Sequence, residues 1–191
     1  MDWDKESFYK LVKQIESSLK GKLSPLGVPF YVYVYDPRHE VECLRQFKNL
    51  ANQLKNQGFF IQIVYLGQVL SYALKELPYL KSEGKEIEKR YRSNLRRELT
   101  SILPEKIAYY LLNGIPGKTK PIKGDKLNQG NFLLRAGALF PFVHISQILA
   151  YLENQTQSTI VIPFPGTRQR EKLSFLNETE GHYYRAMIFG G

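Results

Sequence analysis

The strongest constraint in the 191-residue chain is the run Val28 to Pro37, Val-Pro-Phe-Tyr-Val-Tyr-Val-Tyr-Asp-Pro. Its β-branched and aromatic residues are continuous rather than alternating with charge, which suits a strand covered on both faces, as in a parallel sheet flanked by helices. Pro29 stands at the start, where a missing N–H is tolerated. Asp36 is placed to cap the next helix through its carboxylate. Pro37 suits the first helical position, because its φ is already helical and its absent donor is one that a helix leaves orphaned. One decapeptide therefore predicts a central strand, a turn and a helix start.

The flanking segments extend this pattern. Phe8, Leu11, Val12, Ile15 and Leu19 fall at helical spacing, so residues 4–20 are expected to form a helix capped by Asp2 or Asp4 and stopped by Gly21. After Pro37, Val41, Leu44, Phe47, Ala51 and Leu54 advance by three or four onto one helical face, and Gly58 ends that helix. Phe59 to Leu66 reads as a second strand, completing a strand, helix, strand unit whose strands pair in parallel. A short helix carries Val69, Leu70, Ala73, Leu74 and Leu77. A long helix is expected from Glu83 to Leu103, broken at Pro104 and followed by a shorter one from Glu105 to Leu112. Gly114 to Gly130 reads as a loop with little to bury, Phe132 to Ala138 as the third strand, and Phe142, Ile145, Ile148, Leu149 and Leu152 as a helix. Ser158 to Phe164 is the fourth strand, stopping at Pro165 and Gly166; Thr167 to Lys172 is a loop, and His182 to Phe189 holds a last, edge strand. The expected fold is a single α/β domain over residues 1–191, three-layered and Rossmann-like. It has a mostly parallel sheet of four to five strands, flanking helices, and a basic helix-plus-loop insertion at about 81–130.

Charge and cysteine content narrow the chemistry. Cys43 is the only cysteine, which excludes an internal disulfide and a thiolate-built metal site within the chain. No apolar run approaches the roughly 20 residues that span a bilayer, so a soluble, cytoplasmic protein is expected. Of the net charge of +9, the stretch from Lys81 to Lys126 holds +6, with 12 Lys and Arg against 6 Asp and Glu. Lys85, Lys89, Arg92, Arg96, Arg97, Lys118, Lys120 and Lys123 are the candidate contacts there. Such a surface attracts phosphate backbones or an acidic protein, and charge alone does not choose between them. Gly-Ile-Pro-Gly-Lys-Thr at Gly114 to Thr119 is close to a nucleoside-triphosphate loop but lacks its first glycine, since Leu112 stands five residues before Gly117. His39, His144 and His182 lie far apart and share no metal-ligand spacing. In an open α/β sheet, ligands bind beyond the carboxyl ends of the strands. Asp36, His39, Arg135 and Arg168 are the candidates for that rim. Arg135 and Arg168 would bind an anion together there or form ion pairs with Asp36 or Glu40. No catalytic, cofactor-binding or metal-binding residue is assigned.

Three segments together carry a resemblance. They are Val28 to Pro37 with the helix to Gly58 and the strand to Leu66; Leu-Leu-Arg-Ala-Gly-Ala-Leu-Phe-Pro-Phe from Leu133 to Phe142; and Pro-Phe-Pro-Gly at Pro163 to Gly166 with Tyr-Tyr-Arg-Ala near the C-terminus. In this order the chain, from Val28 onward, resembles the BrxB family of the BREX bacteriophage-exclusion systems. The resemblance implies a phage-defence gene set that includes a DNA methyltransferase, a large ATPase and the alkaline-phosphatase-like protein PglZ. It implies a non-enzymatic partner of other BREX proteins, PglZ foremost, and brings no catalytic residues or cofactor with it. The alternatives are a nucleic-acid-binding module built on the basic insertion and a nucleotide-binding enzyme at the carboxyl end of the central strand.

Overall fold

A computed structural model of the chain describes residues 3–22, 25–77, 84–123, 128–170, 172–175 and 182–191, with the backbone alone for 84–95, 182 and 183. The helices are α1 (Lys5–Leu19), α2 (Glu40–Asn56), α3 (Leu66–Lys75), α4 (Gly84–Asn113) and α5 (Ile145–Leu152). The strands are β1 (Phe30–Tyr35), β2 (Phe60–Tyr65), β3 (Gln129–Leu134), β4 (Thr159–Gln169), β5 (Lys172–Phe175), β6 (His182–Tyr183) and β7 (Met187–Gly190).

All six residues of β1 are buried, and the period of two sorts them by face. Tyr31, Tyr33 and Tyr35 meet α1 and α2, packing with Leu11, Ile15, Phe47 and Leu54. Phe30, Val32 and Val34 join the other core, under α3, α4 and α5. The strand order is β2-β3-β4-β1-β7, and every pair in it is parallel. This is the three-layer, mostly parallel, Rossmann-like α/β architecture that the sequence predicts. β7 lies at one edge, as expected, but the single last strand predicted over His182 to Phe189 is two, His182–Tyr183 pairing with β5 and Met187–Gly190 with β1.

The middle of the sheet is β4 rather than β1, which sits between β4 and β7. Hence β1 and β2 run in the same direction but do not pair, and the unit they form with α2 spans two intervening strands. Hydrophobic pattern reports burial on both faces and carries no information about neighbours; Thr159 to Phe164 is as thoroughly buried as β1.

Four element boundaries also differ from expectation. The long helix does not break at Pro104 but runs on to Asn113. Leu99, Leu103, Ile107 and Leu111, buried on either side of the proline, hold one continuous face against the body, and that packing outweighs the lost backbone hydrogen bond. β3 ends at Leu134 because Arg135 turns left-handed, at φ 61 and ψ 51. β4 continues through Pro165 and Gly166 to pair antiparallel with β5. Gly166 is required there, since a Cβ would lie 2.2 Å from the carbonyl oxygen of Ser174. The helix expected around Phe142 starts at Ile145.

The face of α2 is rotated as well. Val41 is 81% exposed, and the buried line is Cys43, Phe47, Leu50, Ala51 and Leu54.

Candidate functional site

At the carboxyl end of β1, Asp36 accepts a hydrogen bond from the Arg38 backbone N–H at 2.9 Å, capping the 3-10 turn Pro37–His39 that leads into α2. The Arg38 guanidinium closes on the same carboxylate, with Nη2 2.6 Å from Oδ2, and holds the Asp36 carboxyl well below the usual range. One residue earlier, the Tyr35 hydroxyl donates to the Glu40 carboxylate. Burial, and then that carboxylate, push the Tyr35 phenol up. Arg168 lies on the stretch of β4 that leaves the sheet and donates to the carbonyls of Arg170 at 2.7 Å and Ile188 at 3.1 Å. His39 is half-buried at the start of α2. Among the described residues, no hydrogen bond or ion pair joins Arg135 or Arg168 to Asp36 or Glu40. The four rim residues are therefore not gathered into one anion site, because Asp36 and Arg168 are committed to partners of their own.

Arg135 instead lines an open groove of about 400 Å³ at the carboxyl ends of β2 and β3, with Leu44, Lys48, Tyr65, Gln68 and Ala138. Lys48 Nζ stands 6.0 Å from the centroid of the Tyr65 ring. Two cations from separate elements, with no carboxylate partner among the described residues, make this groove attractive to an anion. The lining residues include no Ser, Cys, His or carboxylate beside them. Lys48 carries no signal in the sequence, because only the pairing of β2 with β3 brings α2 and the residue after β3 together. The Cys43 thiol is buried and pushed up by that burial, which leaves it inert.

The lysines after α4 are held on a tied-down loop. Ile115 N–H donates to Thr119 Oγ1 at 2.9 Å, Thr119 N–H returns to Ile115 O at 3.0 Å, and Lys118 N–H donates to Ile115 O at 2.9 Å. The backbone donors that a phosphate loop would aim at its ligand are thus used inside this turn. Gln62 grips Lys120 through both backbone groups, accepting from its N–H at 2.7 Å and donating to its carbonyl at 3.0 Å. Ile115 and Ile122 are buried, so the loop hides more than its composition suggests. Lys118, Lys120 and Lys123 point outward from this frame, with Lys118 Nζ 5.4 Å from the Tyr72 ring. Arg96 and Arg97 are exposed on α4; Lys85, Lys89 and Arg92 lie on its earlier turns. Among the described residues, none of Arg96, Arg97, Lys118, Lys120 and Lys123 has a carboxylate partner. No group of three His, Cys, Asp or Glu among the described residues is placed to hold a metal ion, and no helix among them is long and apolar enough to cross a membrane.

The pattern that defines the family described as BREX protein BrxB matches residues 63–189, well over half of the chain. The chain belongs to the BrxB family. BrxB membership makes it a component of the BREX type, the phage-defence class that the resemblance implies. The matched range runs from β2 to β7 and contains α4, the lysine loop, and the segments Leu133 to Phe142 and Pro163 to Gly166. The first of the three resembling segments, at Val28 to Pro37, precedes it, so the match begins at Ile63 rather than Val28. No curated protein and no solved structure matches the chain.

Proposed function

We propose that this BrxB-family chain is a non-enzymatic adaptor that binds a co-encoded defence protein, with PglZ as the partner. The observation that carries this reading is the state of the sheet's carboxyl rim. On that rim Asp36 is paired with Arg38, Glu40 with Tyr35 and Arg168 with backbone carbonyls, and the groove that keeps Arg135 and Lys48 has no Ser, Cys, His or carboxylate in its lining. By contrast, Arg96 and Arg97 of α4 and Lys118, Lys120 and Lys123 of the following loop stand exposed with no carboxylate partner among the described residues, which suits a surface that meets another macromolecule. The reading takes the chain to act in the cytoplasm beside other BREX proteins.

Co-purification from cells that express the whole gene set tests this. A stable, stoichiometric complex of the tagged chain with PglZ is expected. A chain that elutes alone while every co-encoded protein is present overturns the proposal.

A further inference from the structure

The helix α4 is 30 residues long, about 45 Å at the usual rise. In its second half one line of residues, Leu99, Leu103, Ile107 and Tyr110, is buried against the body, where the helix packs on α3 and α5. Helical spacing carries the same line toward the amino end through Arg96, Arg92, Lys89 and Lys85, at steps of three or four residues. The face that is apolar where the body covers it is thus occupied by four basic residues before it. Beside this line, Ile102 and Tyr109 lie seven residues apart, 36% and 59% exposed. The register places Leu95, Tyr91 and Ile87 on the continuation of that second line. Helix α4 therefore has an apolar line and a basic line side by side, and among the described side chains Arg96 is exposed with no carboxylate partner while Ile102 and Tyr109 remain open to solvent.

We infer that these two lines form a docking surface for an acidic, amphipathic helix of a partner protein, apolar side chains meeting Ile102 and Tyr109 and carboxylates meeting Arg92 and Arg96. This rests on the adaptor reading and gives the partner's chemistry. Charge complementarity asks for an acidic partner, and the apolar line favours a protein over a nucleic acid, whose backbone offers nothing to Ile102.

The experiment measures binding of the full chain to each co-encoded protein and, in parallel, to a DNA duplex and a single strand at low and high salt. The variants are Arg92→Glu with Arg96→Glu, Ile102→Glu with Tyr109→Ser, and the conservative Arg92→Lys with Arg96→Lys. All change side chains outside the described core, so thermal melts close to wild type are expected. Each of the first two pairs lowers affinity for the protein partner roughly tenfold or more, while the lysine pair retains most of it. Variants that bind the partner as tightly as the parent chain overturn this surface and leave the adaptor reading standing. Failure of the parent chain to bind any co-encoded protein removes both. Loss of steeply salt-dependent DNA binding in the arginine variants, with the protein complex intact, reassigns the basic line to phosphates and overturns the inference.

Discussion

Arg135 stands at φ 61 and ψ 51, a conformation in which its Cβ crowds the following carbonyl at a cost of about 1–2 kcal/mol, which glycine escapes. Nothing among the described residues offsets that cost with a hydrogen bond to its guanidinium. Glycine at position 135 is therefore expected to leave the protein as stable as the parent or up to about 1 kcal/mol more so, and valine, which tolerates the left-handed region poorly, to destabilise it by at least about 1 kcal/mol. Urea denaturation of the two variants checks this; equal midpoints would show that the backbone there is not left-handed. Asp4 is the second residue whose role is explicit. Its Oδ1 accepts from the Ser7 N–H at 2.9 Å at the start of α1, and the Ser7 hydroxyl and N–H hold its carboxyl below the usual 3.8. A depressed carboxyl contributes stability that is complete above the unfolded value and disappears as the pH falls through the folded one. Asp4→Ala is expected to cost about 1 kcal/mol at pH 7 and progressively less below about pH 4. A penalty of equal size at pH 7 and pH 3 would contradict the capping role.

Within α2, Phe47 is fully buried, ringed by Phe8, Tyr33 and Phe132 at centroid distances of 5.3, 5.9 and 6.0 Å. Phe47→Ala is expected to cost about 3–5 kcal/mol, whereas Val41→Ala, on the exposed first turn, stays within about 0.5 kcal/mol. Chemical denaturation of the pair tests the rotation of the helix directly, since comparable losses would return Val41 to the core. That rotation marks where the sequence ceases to be readable. The existence of α1, α2, β1 and the capped turn at Asp36 follows from spacing and local chemistry. The phase at the first turn of α2 does not, because Val41 fits the three-and-four pattern as well as Cys43 does, and only the position of the sheet decides between them. Pro104 misleads for a related reason. Its local preference is to end a helix, and the burial of Leu103 and Ile107 on either side of it, a tertiary effect, keeps the helix going. The excess of cations on α4 was countable from composition, whereas the groove of Lys48 and Arg135 depends on a strand pairing that no local pattern encodes.

At the scale of the molecule, α1 is the part whose standing is least obvious, since it precedes the range that matches the BrxB family. Its packing marks it as an integral layer of the fold. Leu11, Ile15 and Leu19 are almost wholly buried over the tyrosine face of β1. The Tyr33 hydroxyl donates to the Asp4 carbonyl at 3.0 Å, Trp3 lies 5.1 Å from the Tyr33 ring, and the hydroxyls of Ser18 and Thr159 share a buried hydrogen bond of 2.8 Å. Each buried Leu or Ile contributes about 1.5–3 kcal/mol, so the three together match the lower half of the roughly 5–15 kcal/mol that holds a typical domain folded. Removing residues 1–22 also opens Tyr31, Phe132 and Val161 to water. The truncated chain is therefore expected to lose its cooperative thermal transition and to bind a hydrophobic dye such as ANS while keeping much of its helical circular dichroism. A truncated chain that melts sharply within a few degrees of the parent would make α1 an appendage and the tyrosine face of β1 self-sufficient.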